Sequence, residues 1–302
     1  MRPAPIDRLR GTALLAITFG IAACGAPIPS GRFVAFADAT RTIANDSVAT
    51  YGHVVDLERT YMLYNPNGDK LNEASFAPRI LDDSGRPLTF NFEPQLAFRS
   101  AALDVLADYA DALHAFATKD YQQDLDAATQ SLGASVGRLA ATAGGASAAQ
   151  AGGVLATVIN GLGRAEIEHL RRSTLRDAMD KAQPGVDTLA GLIAGDNTEI
   201  MIAVRTLRKG ILRKANSLRP ATGITRISFD GAIQGVIVES EDTLTQLDAM
   251  NAAVAKIPRA HADIRHSLDD SASTMEQLRA LIAEAKRLNK SYRSTVSSDE
   301  RK

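Results

Sequence analysis

The segment LAFRSAALDVLADYADALHAFATKDYQQDLDAATQSLGASVGRL, residues 96–139, decides the fold class. Its apolar positions Leu96, Leu103, Leu106, Ala110, Leu113, Ala117, Tyr121, Leu125, Ala128, Leu132, Val136 and Leu139 advance mostly by three or four residues. That spacing gathers them on one stripe of an α-helix, where a strand would need strict alternation. Successive steps of four near Tyr121 depart from a regular heptad. Read as one helix, the run is about 65 Å long at 1.5 Å per residue. A rod of that length needs helical partners along its whole apolar stripe.

Two further apolar faces supply them. Val186, Leu189, Ile193, Ile200, Val204, Leu207, Ile211 and Leu218 follow Pro184-Gly185, and a third set runs from Leu244 through Ile264 to Tyr292. Pro258 should divide or kink that third set, since it removes a backbone donor and restrains Ile257. Between them, Ile224 to Val238 holds β-branched residues and two glycines and reads as either strand or helix. Upstream, a helical pattern starts at Asp38 and is stopped after Tyr64 by Asn65-Pro66-Asn67-Gly68. Ile80-Leu81, the turn Asp82-Asp83-Ser84-Gly85 and the alternation Leu88, Phe90, Phe92 predict a small β-hairpin near residues 79–92. The expected fold is all-α, an elongated antiparallel helical bundle with coiled-coil-like seams and this hairpin as an accessory. Composition agrees, because 45% hydrophobic and 23% charged residues in a chain of 302 suit a folded body, and 5% aromatics with no Trp suit helices. A formal net charge of -1 argues against a nucleic-acid binder.

The amino terminus has a different character. Arg2, Arg8 and Arg10 precede an uncharged, mostly apolar run from Gly11 to Ala22, the pattern of a secretion signal and too short for a permanent span. The residues Ile21-Ala22-Ala23-Cys24-Gly25 resemble the lipobox of bacterial lipoproteins. The resemblance implies cleavage before Cys24, acylation of its thiol with palmitate-like chains, and anchoring in a membrane. Gly25, in place of an Asp, implies the outer membrane. Cys24 is the only cysteine and has no disulfide partner, as that role requires. The expected organisation is a signal peptide over 1–23, a lipidated tether over 24–35, a helical body over 36–293 and a polar tail over 294–302. Loss of residues 1–23 removes three basic and one acidic side chain, leaving the mature chain near -3.

Several segments are candidates for function. From Arg138 to Arg164 no charge interrupts 25 consecutive residues, and Gly and Ala dominate. Pairs such as Gly145 with Ala149 and Gly152 with Ala156 suit close helix approach. Segment 139–163 reads as a helical hairpin turning near Gly144-Gly145, or as a concealed membrane-inserting element, an outline that resembles the α-helical haemolysins. In the basic run Arg205, Arg208, Lys209, Arg213, Lys214 and Arg219, all but Lys214 fall within an arc of about 140°, a cationic stripe that fits an anionic partner or lipid headgroups. It also fits the acidic segment that follows, where Asp230, Glu239, Glu241, Asp242 and Asp248 are the only charges between Arg226 and Lys256. Asp104, Asp108 and Asp111 share one helix face and read as solvated. His53, His114, His169, His261 and His266 lack the i,i+3 or i,i+4 spacing of helical metal pairs. No catalytic constellation, metal site or cofactor fingerprint is recognisable. The expected function is that of a lipid-anchored, periplasm-facing spacer, scaffold or adaptor without catalysis, with an envelope protein or the cell wall as partner. A membrane-active protein using 139–163 and an enzyme with an unrecognised site are the alternatives.

Overall fold

The computed structural model describes residues 28–65, 80–81, 87–88, 92–118, 121–142, 146–162, 170–270 and 272–299. Residues 1–23, read above as a signal peptide, together with Cys24, Phe90, Gly144-Gly145 and His169, lie outside the described residues. The fold is all-α, and eight helices are formed among the described residues. They are α1 (Ser30–Tyr64), α2 (Phe92–Ala117), α3 (Tyr121–Ala141), α4 (Ala146–Leu162), α5 (Arg171–Leu218), α6 (Ile224–Val254), α7 (Ile257–Ser267) and α8 (Glu276–Asp299). Two-residue strands, β1 (Ile80–Leu81) and β2 (Pro87–Leu88), pair antiparallel with Ile80 opposite Leu88. The hairpin is shorter than the alternation suggests, because Phe92 opens α2 and is fully buried.

Four boundaries differ from those expected. Helix α1 begins at Ser30, directly after Pro29, and not at Asp38. Phe33, Phe36 and Ala37 already follow helical spacing and enter the core, so the body starts inside what the proline and glycine content marks as tether. The 96–139 rod is two helices. At the end of α2, the Thr118 hydroxyl and N–H both donate to the Ala115 carbonyl, at 2.7 and 3.2 Å. The Arg171 guanidinium, reaching across from α5, donates to the carbonyls of Phe116 and Thr118 and lies 5.3 Å from the Phe116 ring centre. A long-range partner thus satisfies the carbonyls that a helix end leaves open. Helix α5 does not wait for Pro184-Gly185; it runs through both for 48 residues. Pro184 and Asp180 are exposed, so the carbonyl left without its donor faces water. Helix α8 continues through Asp299, where a frayed polar tail is expected from Ser294.

Other expectations hold. Pro258 stands in the first turn of α7 and separates it from α6. Ile224 to Val238 is helical, opening behind Gly223, whose φ of 84° favours glycine. A second break, after Leu268, lies within the third apolar set and carries no proline. There the Asp263 carboxylate accepts from the backbone N–H groups of Gln277 (2.7 Å) and Leu278 (3.4 Å), capping the start of α8 from α7.

Side-chain pairings define the directions. Tyr51 donates to Asn197 (2.8 Å), and the Tyr61 ring lies against Gly210, so α1 and α5 run parallel. Arg41 bonds Asp108 and Asp111, making α2 antiparallel to α1, and α3 folds back so that Ser135 donates to Asp108. Helix α4 returns along α3 and meets α5, where a side chain on Gly185 would stand 3.1 Å from the Ala151 carbonyl oxygen and from Leu155. Arg219 bonds Asp230 and Arg265 bonds Asp180, which sets α6 and α7 antiparallel to α5, while Asn289 bonds Asp46 and aligns α8 with α1. The starts of α1 and α5 and the α7–α8 connection share one end, where Arg32 reaches Ser273 (3.4 Å) and Arg172 reaches the Leu268 carbonyl. The core between them is filled by residues such as Ile43, Leu57, Leu106, Phe116, Leu189 and Ile264, all at most 1% exposed.

Candidate functional site

The uncharged segment packs as a helical hairpin of α3 and α4. Ala148, Ala151, Gly152, Leu155, Ile159 and Leu162 are buried, and a Cβ on Gly152 would lie 3.3 Å from Val136. Small residues here let α4 close on α3 and α5. Among the described residues, no helix is long and apolar enough to cross a membrane.

The three aspartates do not form a solvated face. Asp108 is 4% exposed and lies between α1, α2 and α3, receiving bonds from Arg41 (3.0 Å) and Ser135. Arg138 then joins Ser135 (2.8 Å) to Asp104 (3.1 Å), and Arg41 also bonds Asp111. Each carboxylate has a cation beside it, which a buried or half-buried charge requires. The cluster stitches three helices together.

Among the described residues no group of three or more His, Cys, Asp or Glu side chains is placed to hold a metal. His261 has another role. Its Nδ1 lies 2.7 Å from Gln183 Oε1 and its Nε2 lies 2.9 Å from Tyr109 Oη. The Gln183 amide nitrogen donates to Asp187 (2.6 Å) and to the Pro258 carbonyl (3.3 Å), so Oε1 is left to accept. His261 therefore carries its proton on Nδ1 and accepts from the Tyr109 hydroxyl at Nε2. Burial pushes the imidazole down to about 3 and raises the Tyr109 phenol well above its ordinary value. His261 and Tyr109 are at most 1% exposed, so their end of this chain of bonds, which joins α2, α5 and α7, is shut off from solvent, while Gln183 carries it outward to the exposed Asp187. Proton transfer to a substrate requires contact with that substrate, which this burial denies.

Of the cationic stripe, Arg208 bonds Glu241 (3.3 Å) and Arg219 makes a two-point contact with Asp230, with Nε at 2.7 Å. Hydrogen bonding from Arg219 holds the Asp230 carboxyl below the usual range, and Arg226 approaches the same group at 3.7 Å. Lys209 and Arg213 are also engaged, and Arg205 and Lys214 are exposed on opposite sides of α5. The acidic half of α6 is thus a partner of this stripe, as charge complementarity suggests. Between the helices a small cavity of about 280 Å³ is lined by Asn216, Arg219, Phe229, Asp230 and Ile233.

A larger open groove, about 590 Å³, runs between α1 and α8. Ala35, Ala39, Ile282 and Ala285 contribute apolar surface, and Lys286, Lys290 and Arg293 contribute charge. Beneath it Asp46 accepts from Asn289 (3.0 and 3.3 Å), and burial raises its carboxyl. Neither the His261 chain nor the Asp108 cluster was apparent as a buried network in the sequence. The nearest signal was the almost all-round apolar character of residues 101–117, which marks a helix enclosed by others. No family model, curated protein or solved structure matches this chain.

Proposed function

We propose that this protein is a lipoprotein of the bacterial outer membrane, held by acyl chains on Cys24 and facing the periplasm, where it serves as a non-catalytic spacer, scaffold or adaptor. The observation that carries the reading is the box Ile21-Ala22-Ala23-Cys24 standing just ahead of a helical rod that begins at Ser30. Six residues extend to no more than about 20 Å, so an anchor at Cys24 holds the α1 end of the bundle close to the bilayer. Several acyl chains buried together, at about 0.8 kcal/mol per CH₂, make such anchoring effectively permanent. The filled core and the side-chain networks that tie its helices together support a role in which the outer helical surfaces meet partners. An envelope protein or the cell wall is the partner class that fits.

Cys24→Ala moves the protein from the membrane pellet to the soluble fraction of host cells, and mass spectrometry of the parent finds an acylated Cys24 at the mature amino terminus. Salt-resistant pelleting of the variant, or an unmodified thiol in the parent, overturns the anchor.

A further inference from the structure

At the end of the rod remote from Ser30, α5 and α6 run past the last turn of α1. Tyr61 contacts Gly210, yet α5 continues for two more turns to Leu218 before Gly223 reverses the chain. Buried residues end at Ala215 on α5 and resume only at Ser240 on α6. The apex of this hairpin exposes large apolar side chains, with Ile224 82%, Ile227 73% and Leu218 54% accessible. Beyond them, side chains added at Gly231 or Gly235 would meet nothing within 4 Å. The outer face of α6 from Ile224 to Val238 is free of charge, since Arg226 and Asp230 lie on the opposite side, where Asp230 meets Arg219.

Charge at the apex is one-sided. From Lys214 to Val238, beyond the Arg208–Glu241 pair, there are three cations and one acid, Asp230, in a chain whose overall charge is -1. Asp230 faces both Arg219 and Arg226, and a single carboxylate balances only one of them. Lys214 lies one turn before Leu218 and is exposed.

We propose that this apex docks on an anionic phospholipid surface, with Leu218, Ile224 and Ile227 entering the headgroup–acyl boundary and Lys214, Arg219 and Arg226 meeting the phosphates. An apolar tip ringed by cations matches the two layers of such a surface, apolar below and negative above. The projecting tip needs no shaped receptor, because fluid lipid adapts to a convex wedge. The docking is independent of Cys24 acylation and acts at the opposite end of the rod, so it adds a second membrane contact to the anchor.

The test uses the full chain carrying Cys24→Ser, with an environment-sensitive dye attached through Ile227→Cys, or through Thr198→Cys on the exposed body as reference. Vesicles containing phosphatidylglycerol shift the Ile227 dye to the blue, phosphatidylcholine vesicles do not, and added salt reverses the shift; the Thr198 dye is unmoved by either. Lys214→Gln with Arg226→Gln weakens partitioning about fivefold per cation removed, roughly 25-fold together, with unchanged circular dichroism. No response at position 227, an equal response on both vesicles, or undiminished binding of the double variant overturns the proposal. Capture of an acidic protein by the apex without any vesicle response also overturns it, and assigns the apex to that protein.

Discussion

His261 is the residue whose chemistry is most altered by folding. Unfolded, it titrates near 6.5; folded, burial lowers it to about 3. Below 6.5 the unfolded chain binds a proton that the native chain refuses, so this group's contribution to stability is complete above 6.5 and declines as pH falls toward 3. From about pH 6.5 to about pH 5 the loss is about 2 kcal/mol. His261→Leu removes this dependence and leaves the Tyr109 hydroxyl and the Gln183 carbonyl oxygen unpaired, at about 1–3 kcal/mol each. Denaturant titrations at the two pH values check both effects: the variant is less stable than the parent near neutrality, and its stability changes less between them. The sequence gives no such warning, since a histidine on an apolar helix face becomes a bonded core residue only when Tyr109 and Gln183, far along the chain, are brought to its two nitrogens.

At the scale of elements, Gly210 is a point of close approach between α5 and α1. A methyl group there would overlap the Cε2 edge of the Tyr61 ring. Gly210→Ala improves helix propensity by up to about 1 kcal/mol but forces Tyr61 from its buried place, an overpacking that costs about 1–3 kcal/mol. Thermal unfolding therefore shows net destabilisation, and the penalty shrinks in the Tyr61→Leu background, where the obstructing ring is absent. The same comparison of local and distant forces explains which boundaries were legible. Pro258 divides α6 from α7 through its own covalent geometry, which is written in the chain. The end of α2 depends on Arg171, and the start of α8 on Asp263, so spacing alone extends each helical pattern past its true stop. Tyr121, where the heptad slips, was the one local mark of the α2–α3 break. In α5 the reverse occurs, for Pro184 looks like a boundary and is carried through because its orphaned carbonyl is in water.

For the whole molecule, the all-α class and the antiparallel bundle follow from apolar stripes that no single helix can bury alone. For the basic run the sequence offered both an external anionic partner and the acidic residues of α6, and the structure pairs Arg208 with Glu241 and Arg219 with Asp230. Its bare apex was not legible, because exposure of Ile224 and Ile227 depends on where α1 ends. Helix α5, with 48 residues, is about 72 Å long. Small-angle scattering of the acyl-free chain should give a maximum dimension of at least this length, against roughly 50 Å for a compact globule of the same residue count. A value near the smaller figure contradicts the extended arrangement. One unbroken α5 also has a mechanical meaning. Tension between the Arg172 end and the apex is carried lengthwise by a single strut, and its packing layers against α1 are sheared in concert, whereas peeling α4 from α3 would open them one after another.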